Sequence, residues 1–403
     1  MNDYEEGLAE EIPSRIARVR ARMAENGYDA LLVYGNNKVN GSLRYVSGYF
    51  PDRGGWLATG PSRADITIFD AATLVLPLEG EPVLVFDKGQ LLDREAGIAT
   101  TSVNGFGGEL AQQPPVPEYV AQLLQRERPV SRIGIETWDK FPAPFFFGLQ
   151  SALPGVELTP STVVEEIALI KSAWEIEAFR AAGRVGDIGH RAFEEALRRG
   201  PGQSELVLIR AAEAAMRELD PIYEEVSPAS PSLICSGGSG RLSMLHTPLN
   251  GKTIEEGDVV NWDLALRHLG YPVDTSRTRT MGTPTAAQRD AYRVVLDIRS
   301  AILEAVRPGA QVQDLVTMAD RMASEAGLEL YDRFIGHGLG LDVHVRPDMG
   351  MEEMLLEENM LITVEPRIVF DGEYLMGNED MVLVTADGAE PLGSYPLDSL
   401  ELG

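Results

Sequence analysis

The chain has 403 residues, of which 44% are hydrophobic and 24% charged, so it is neither a disordered chain nor a single small domain. A formal net charge of −27 disfavours a nucleic-acid or membrane partner, and the apolar runs have strand length, far short of a membrane span. The acidic N-terminus lacks a secretory signal and the single Cys235 cannot form an internal disulfide, so we expect a cytoplasmic protein.

The first part of the chain alternates between predicted helices and strands. Residues 13–34 are typical of an amphipathic helix that ends near Gly27, followed by a buried strand. The runs DAATLVLPL, EPVLVFD and RIGIETW indicate strands, and PEYVAQLLQRE indicates a helix between them. This alternation predicts an α/β domain over residues 1–165.

Residues 166–403 are predicted to form a second domain. It begins with a long helical pattern that contains His190, which we interpret as a structural residue of the core or helix surface. Strand-like sequence covers about 230–282, and a pair of helices follows. Thr285 and Gln288 predict a capping box at the start of this pair, and the last part of the chain returns to strands separated by glycines.

Acidic residues of the second domain stand in otherwise apolar, strand-like stretches. Asp263 and Asp274 flank a turn predicted at Gly270–Tyr271, so two strands joined there would bring both carboxylates to one end of a hairpin. Glu365 follows the apolar run MLITV, and Glu379 comes just before DMVLVT. Buried carboxylates cost several kcal/mol each unless they are paired or bind a metal, and converging ones repel each other without a cation.

The stretch HGLGLDVH contains two of the five histidines, His337 and His344. Carboxylate oxygens together with an imidazole suit Mn, Fe, Co or Zn, and this many carboxylates suit a site with two metal ions. Taken singly, each acidic residue is equally compatible with a surface position at the end of a strand.

In order and spacing, these residues resemble the ligand set of metallopeptidase family M24, in the branch of aminopeptidase P, prolidase and creatinase. The local matches are DTSRT, GHGLGLDVH, TVEP and NEDMVLVT, and IKSAWEIEAFRAAG and LRYVSGY extend the resemblance towards the N-terminus. The resemblance implies an α/β (α+β) fold, with a creatinase-like N-terminal α/β domain followed by a pita-bread catalytic domain. It also implies a homodimer.

The resemblance assigns a role to each ligand. Asp274 and Glu379 would bridge two divalent metal ions, for which Mn is the first expectation and Fe, Co and Zn are alternatives. Asp263 would bind one ion, and His337 and Glu365 would bind the other.

The same resemblance implies three catalytic residues. His246 would contact the substrate and its leaving group, and His344 would stabilise the substrate carbonyl or the developing oxyanion. Glu365 would carry a proton from the nucleophilic water to the leaving amine.

Three positions depart from the family pattern. Arg333 stands four residues before His337, where a histidine is usual; Arg367 follows TVEP, where glycine is usual; Gly377 stands two residues before the last ligand, where arginine is usual. An arginine that faces the site favours a substrate carboxylate through bidentate pairing. Arg333, Arg346 and Arg367 are therefore candidate substrate-binding residues, and structural ion pairs in a very acidic protein are the alternative.

The first functional hypothesis is a dinuclear metal-dependent hydrolase of the Xaa-Pro peptidase type. The second is a non-peptidase member of the same fold that acts on a small zwitterion, as in the ectoine-hydrolase, creatinase and dimethylsulfoniopropionate-lyase branches, because the residues around the ligands differ. The third, a metal-free binding module, is disfavoured because the ligand set is complete. The expected partner is a small molecule or a short peptide.

Overall fold

The structure, a computed structural model, describes residues 3–36, 39–49, 71–86, 94–95, 98–102, 116–126, 128–218, 232–237, 252–370 and 374–402. The chain divides into two compact units, Met1–Ala168 and Leu169–Gly403. Within the described ranges, no helix combines the length and apolar character needed to cross a membrane. The mixture of helices and sheets in both units confirms the predicted α/β (α+β) class.

The first unit is built on a seven-stranded mixed sheet with strand order β4-β5-β3-β2-β1-β6-β7. Its elements are α1 (Asp3–Asn26), β1 (Ala30–Asn36), α2 (Gly41–Ser47), β2 (Ala71–Pro77), β3 (Val83–Phe86), β4 (Arg94–Glu95), β5 (Ile98–Ser102), α3 (Val116–Gln125), β6 (Arg132–Glu136), α4 (Ala143–Ala152), β7 (Glu157–Pro160) and α5 (Val163–Ala168). Strand β1 is central: it pairs antiparallel with β2 and parallel with β6.

The first helix begins earlier than the sequence predicts. It begins at Asp3, and Pro13 lies inside it rather than at its start. Ile12 and Ile16 are both buried, so packing on either side of the proline outweighs the hydrogen bond that the proline removes. The predicted end is confirmed, because Gly27 follows Asn26 with a φ of 69°.

Among its described residues, the second unit packs its helices against three small sheets. Its elements are α6 (Ala173–Leu197), α7 (Glu205–Arg217), β8 (Leu233–Ser236), β9 (Val259–His268), β10 (Tyr271–Thr280), α8 (Ala286–Ala305), α9 (Val312–Glu325), β11 (Glu329–Leu330), β12 (His337–Gly338), β13 (Val345–Asp348), β14 (Leu361–Val364), β15 (Arg367–Phe370), β16 (Tyr374–Gly377), β17 (Asp380–Thr385) and β18 (Gly388–Pro391). The sheets have the orders β10-β9-β8, β11-β15-β16 and β13-β12-β14-β17-β18.

Helix α8 anchors the core of this unit. The predicted capping box at its start is confirmed: the Gln288 backbone N–H donates to Thr285 Oγ1 (3.1 Å), and the Thr285 N–H donates to Gln288 Oε1 (2.8 Å). Val295 and Ile298 belong to the same fully buried cluster as Val364 of β14. This packing fixes the end of β14, from which Glu365 follows directly.

Candidate metal centre

Strands β9 and β10 form an antiparallel hairpin that places two carboxylates on one face. The turn is Leu269–Gly270, with positive φ at both residues, which suits a two-residue hairpin. In the register, Asp263 lies opposite Ser276 and Asp274 lies opposite Ala265, so the two acids are diagonal neighbours. The predicted hairpin is present, but the carboxylates lie near its middle rather than at one end.

Glu379 reaches the hairpin through backbone hydrogen bonds. The Ser276 N–H donates to the Glu379 carbonyl (3.3 Å), and the Glu379 N–H donates to the Ser276 carbonyl (3.0 Å). Because Ser276 is the register partner of Asp263, Glu379 lies beside the hairpin acids. Glu365 is held in turn by its N–H, which donates to the Ile335 carbonyl at 2.9 Å.

His337 lies among these carboxylates. Its Nε2 is 3.3 Å from Asp274 Oδ2, 3.5 Å from Glu365 Oε1 and 3.9 Å from Glu379 Oε1. Ligand atoms of Asp274, His337 and Glu379 lie within 4.8 Å of one another, and all three residues are buried. His337 Nδ1 lies 3.0 Å from the Gly338 carbonyl. A proton on Nδ1 can be donated there while Nε2 points at the carboxylates, and loss of the Nε2 proton then makes this atom a metal ligand.

The electrostatics of the cluster favour a bound cation. Burial and the neighbouring Asp274 raise the pKa of Asp263 to about 7 and raise that of Glu379 well above its usual value. Burial lowers the pKa of His337, but its hydrogen bond and charge interaction with Asp274 outweigh burial and bring it to about 9. These pKa shifts mean that ionising all the carboxyl groups of the cluster at once costs free energy unless further positive charge is present.

The oxygen atoms fit a divalent ion. Among the described residues, Asp263 Oδ1 and both carboxylate oxygens of Glu379 are buried without a hydrogen-bond partner. Buried polar atoms are rarely left in this state, and hard carboxylate oxygens beside an imidazole suit divalent transition metals. The donor set is therefore suited to the metal ions that the sequence predicts.

Arg367 belongs to the carboxylate cluster. Its Nη1 is 2.8 Å from Glu365 Oε2, and its Nη2 is 3.2 Å from Asp263 Oδ2 and 3.8 Å from Glu379 Oε2. It lies directly opposite Gly377 in the β15–β16 pair, so two of the departures from the family pattern face each other.

The other two candidate arginines pair with carboxylates outside the cluster. Arg333, whose side chain is 60% exposed, has its Nε 3.2 Å from Asp320 of α9. Arg346, with a side chain 43% exposed, forms an ion pair with Glu352. The structure thus brings Arg367 to the candidate ligands and gives Arg333 and Arg346 ion pairs elsewhere.

The remaining histidines of the prediction differ in what the structure shows. The ring of His344 lies 4.0 Å from that of His337, centroid to centroid, and His344 is an exposed residue. Burial of its inner part and the nearby His337 lower the pKa of His344, which favours a neutral imidazole. His246 lies outside the described residues.

Two groups support the site from behind: His190, whose predicted structural role is confirmed although its partners were not predicted, and an ion pair that the sequence did not predict. His190 of α6 is fully buried and accepts a hydrogen bond at Nδ1 from Trp262 Nε1 (2.9 Å). Its Nε2 must then carry the proton and donate to Thr275 Oγ1, 2.9 Å away. Trp262 precedes Asp263 and Thr275 follows Asp274 in the sequence. Because side chains alternate along a strand, this adjacency indicates that Trp262 and Thr275 point to the face opposite the two acids.

The second support is a buried ion pair that holds the backbone of the last ligand. Arg277 Nη1 donates to the Glu379 carbonyl (2.7 Å), and Arg277 Nη2 donates to Asp380 Oδ1 (2.9 Å). Arg299 Nε donates to the second oxygen of Asp380 (2.6 Å). The one sequence signal for this ion pair is that Glu379 and Asp380 are adjacent acids in a strand-like stretch. Neighbouring side chains of a strand point to opposite faces, so only one of the two acids can face the site.

Comparisons with protein families agree with this geometry. The model of metallopeptidase family M24 matches residues 177–386, and that of the creatinase/prolidase N-terminal domain matches residues 15–168.

Individual relatives span much of the chain. The Xaa-Pro dipeptidase of Pyrococcus horikoshii is 27% identical over 94% of this chain and 96% of that protein. The probable dipeptidase PepE of Mycobacterium bovis is 30% identical over 83% of this chain and 86% of that protein. The Xaa-Pro dipeptidase of Pyrococcus furiosus is 31% identical over 57% of this chain and 64% of that protein.

Solved structures are similar over nearly the whole length. Dipeptidase PepE from Mycobacterium ulcerans superposes with a TM-score of 0.76 at 26% identity, over 98% of each chain. The prolidase from Pyrococcus horikoshii gives a TM-score of 0.75 at 24% identity, over 96% of this chain and 99% of that one.

Proposed function

Because the chain belongs to metallopeptidase family M24, we propose that it is a metal-dependent hydrolase that cleaves the amide bond of Xaa-Pro dipeptides or of N-terminal Xaa-Pro peptides. The observation that carries this proposal is the buried cluster of one imidazole and four carboxylates, formed by Asp263, Asp274, His337, Glu365 and Glu379. Relatives named Xaa-Pro dipeptidase support the substrate class. The family resemblance inferred from the sequence is confirmed, and the relatives reported above give no support to a small zwitterionic substrate.

The proposed centre holds two divalent ions. Asp274 and Glu379 would contact both ions, Asp263 would bind one of them, and His337 and Glu365 would bind the other. When bound, the ions would lower the pKa of a water molecule and polarise the substrate carbonyl.

The remaining roles fall to side chains of this chain. His344, exposed and with a lowered pKa that favours the neutral imidazole, is proposed to donate a hydrogen bond to the substrate carbonyl oxygen. Glu365 is proposed to accept the proton of the nucleophile and deliver it to the leaving nitrogen. His246 is the proposed contact of the leaving group. Arg333 and Arg346 remain proposed partners of a substrate carboxylate, which would have to replace their present acidic partners.

Three further properties are part of the proposal. We propose manganese as the metal because carboxylate-rich sites suit it, a homodimer by the family resemblance, and a cytoplasmic location because a lone cysteine suits a reducing compartment. Elemental analysis of protein purified without chelator tests the first, and light scattering with an attached mass measurement tests the second. Fractionation of the source cells tests the third.

The activity is tested by measuring hydrolysis of Gly-Pro, other Xaa-Pro dipeptides and Xaa-Pro-initiated peptides with added Mn²⁺, beside small betaines and cyclic amidines. We expect turnover of prolyl substrates that disappears on chelation and returns with Mn²⁺. Glu358→Gln, at an exposed carboxylate, is the matched control for any ligand variant. Protein that binds Mn²⁺ yet hydrolyses none of the prolyl substrates would contradict the proposal.

A further inference from the structure

Arg367 reaches the carboxylate cluster because the neighbouring strand β16 has a glycine, with no side chain, at the position opposite it. Its register partner is Gly377, and a Cβ built on Gly377 would lie 2.5 Å from Arg367 Cγ and 3.0 Å from the Pro366 carbonyl. The carbonyl of Gly377 accepts hydrogen bonds from Asn261 Nδ2 (3.2 Å) and Thr278 Oγ1 (2.5 Å), so the glycine is firmly held. Any larger residue at 377 would therefore displace the arginine.

The guanidinium lies near one oxygen of three of the four carboxylates and leaves their other oxygen. Arg367 lies on the Oδ2 side of Asp263 and the Oε2 side of both Glu365 and Glu379. The Oε1 atoms of the two glutamates lie on the side of His337 Nε2, and Asp263 Oδ1 makes no hydrogen bond among the described residues. The cluster is thus divided between a side that faces the guanidinium and a side available to metal.

We propose that Arg367, admitted by the glycine opposite it, is the positioning residue and resident counter-ion of the metal centre. It fixes which oxygen of Asp263 and Glu365 is presented to metal, and it holds the carboxylates together before metal binds. It therefore acts on the site rather than on a substrate carboxylate, because its guanidinium is buried and occupied by the ligands themselves. This inference rests on the metal binding in the proposed function, but not on the identity of the substrate.

The role of Arg367 can be tested by exchanging the residues at positions 367 and 377, because the two strands pair in antiparallel register. Residues directly opposite each other on paired strands project from the same face with Cβ atoms about 5 Å apart. An arginine at 377 facing a glycine at 367 therefore starts beside the same carboxylates. The same strand pair offers a control in Val369 and Leu375, which are also register partners.

The experiment compares melting temperatures of metal-free and Mn²⁺-saturated protein for Arg367→Met, Arg367→Gly, the exchange variant Arg367→Gly/Gly377→Arg and the control exchange Val369→Leu/Leu375→Val. Without the guanidinium, the metal-free carboxylates lose their buried partner, whereas bound Mn²⁺ supplies positive charge in its place. We expect the melting temperature of metal-free Arg367→Met to fall by about 10 °C and that of the Mn²⁺ form by less than half as much. The exchange variant should recover most of the metal-free loss that Arg367→Gly causes.

A purely structural arginine would lower both melting temperatures equally, and that result would overturn the proposal. So would an exchange variant no more stable without metal than Arg367→Gly, provided the control exchange folds normally. Failure of the prolyl peptidase assay leaves these readouts intact, because they measure metal-dependent stability and no substrate. Conversely, an active enzyme whose Arg367→Met variant shows an unchanged Mn²⁺-induced shift refutes only the role of Arg367.

Discussion

Two buried histidines lie on opposite faces of the β9–β10 hairpin and differ in electrostatic state. His190, behind the hairpin, has a pKa lowered well below its usual value by burial and by Arg277 and Arg279. His337, on the face with Asp274, has a pKa raised to about 9 although burial opposes the shift. Burial favours the neutral form of both rings, so the neighbouring charges decide the difference.

His190 has a structural role, whereas His337 has a chemical one. Both ring nitrogens of His190 are used in hydrogen bonds to Trp262 and Thr275, which leaves no lone pair for a ligand. His337 uses Nδ1 on a carbonyl and turns Nε2 towards carboxylates. One face of the hairpin is therefore stabilised by hydrogen bonds between neutral side chains, and the other carries the charged carboxylates and His337.

The largest expected effect comes from removing charge on the His337 face. Glu379→Gln should lower kcat for an Xaa-Pro substrate by about 10³-fold or more, because loss of one ligand removes several kcal/mol of transition-state stabilisation. Steady-state hydrolysis with added Mn²⁺, together with metal analysis, measures this change. Near-normal activity and metal content in Glu379→Gln would show that the charged face is not the metal site.

On the opposite face we expect a loss of stability with no change in metal dependence. His190→Phe leaves the Trp262 N–H and the Thr275 hydroxyl unpaired, which should lower the free energy of unfolding by about 3 kcal/mol. His190→Gln can restore one bond and should lose less. Denaturant unfolding with and without Mn²⁺ checks both variants; a loss of the Mn²⁺-induced stabilisation in His190→Phe would break the proposed division between the faces.

Much of the charged face could be predicted because its signals are local. The hairpin turn lies at Leu269–Gly270, one residue before the predicted Gly270–Tyr271, and the observed register puts Asp263 and Asp274 on one face. Glu365 and Glu379 follow and precede strands whose apolar character is plain in the sequence. Strand alternation thus indicates where these acids point, and the family resemblance supplies the order of the ligands.

The supports could not be predicted, because they depend on contacts between distant segments. His190 meets residues 72 and 85 positions away in the sequence, and no periodicity of α6 distinguishes it from another core residue. The sequence left Arg367 as a candidate for a substrate carboxylate or for a structural ion pair, and pairing of β15 with β16 sets it opposite Gly377 and among the ligands. Strand pairing therefore decides what this arginine contacts.

Glu136 of β6, in the first unit, is a buried carboxyl that accepts a hydrogen bond from Ser161 Oγ (2.5 Å). Burial raises its pKa to about 7 against the opposing effect of that bond. A folded-state pKa above the unfolded value contributes stability that is complete below about pH 4.5 and is lost as the pH rises through about 7. Between those values the wild-type protein should lose about 3 kcal/mol of unfolding free energy that Glu136→Gln does not.

Denaturant unfolding of both proteins at a series of pH values, with saturating Mn²⁺, measures that difference. Saturation with metal keeps the ligand carboxylates and His337 from titrating in the same range, so the difference between the curves reports Glu136. Parallel curves for wild type and Glu136→Gln would show that burial of this carboxyl does not set its pKa.

The smallest effect is expected for an ion pair between arginine and glutamate at the protein surface. Arg180 of α6 pairs with Glu390 of β18 through two bonds of 2.9 and 2.8 Å, but their side chains are 34% and 39% exposed. Water and salt screen such a pair, so Glu390→Gln should cost less than about 1 kcal/mol, and the loss should shrink further in high salt. Thermal unfolding at low and high ionic strength measures it. A salt-independent loss of several kcal/mol would mean that pairing rather than burial sets the strength of charge interactions in this unit.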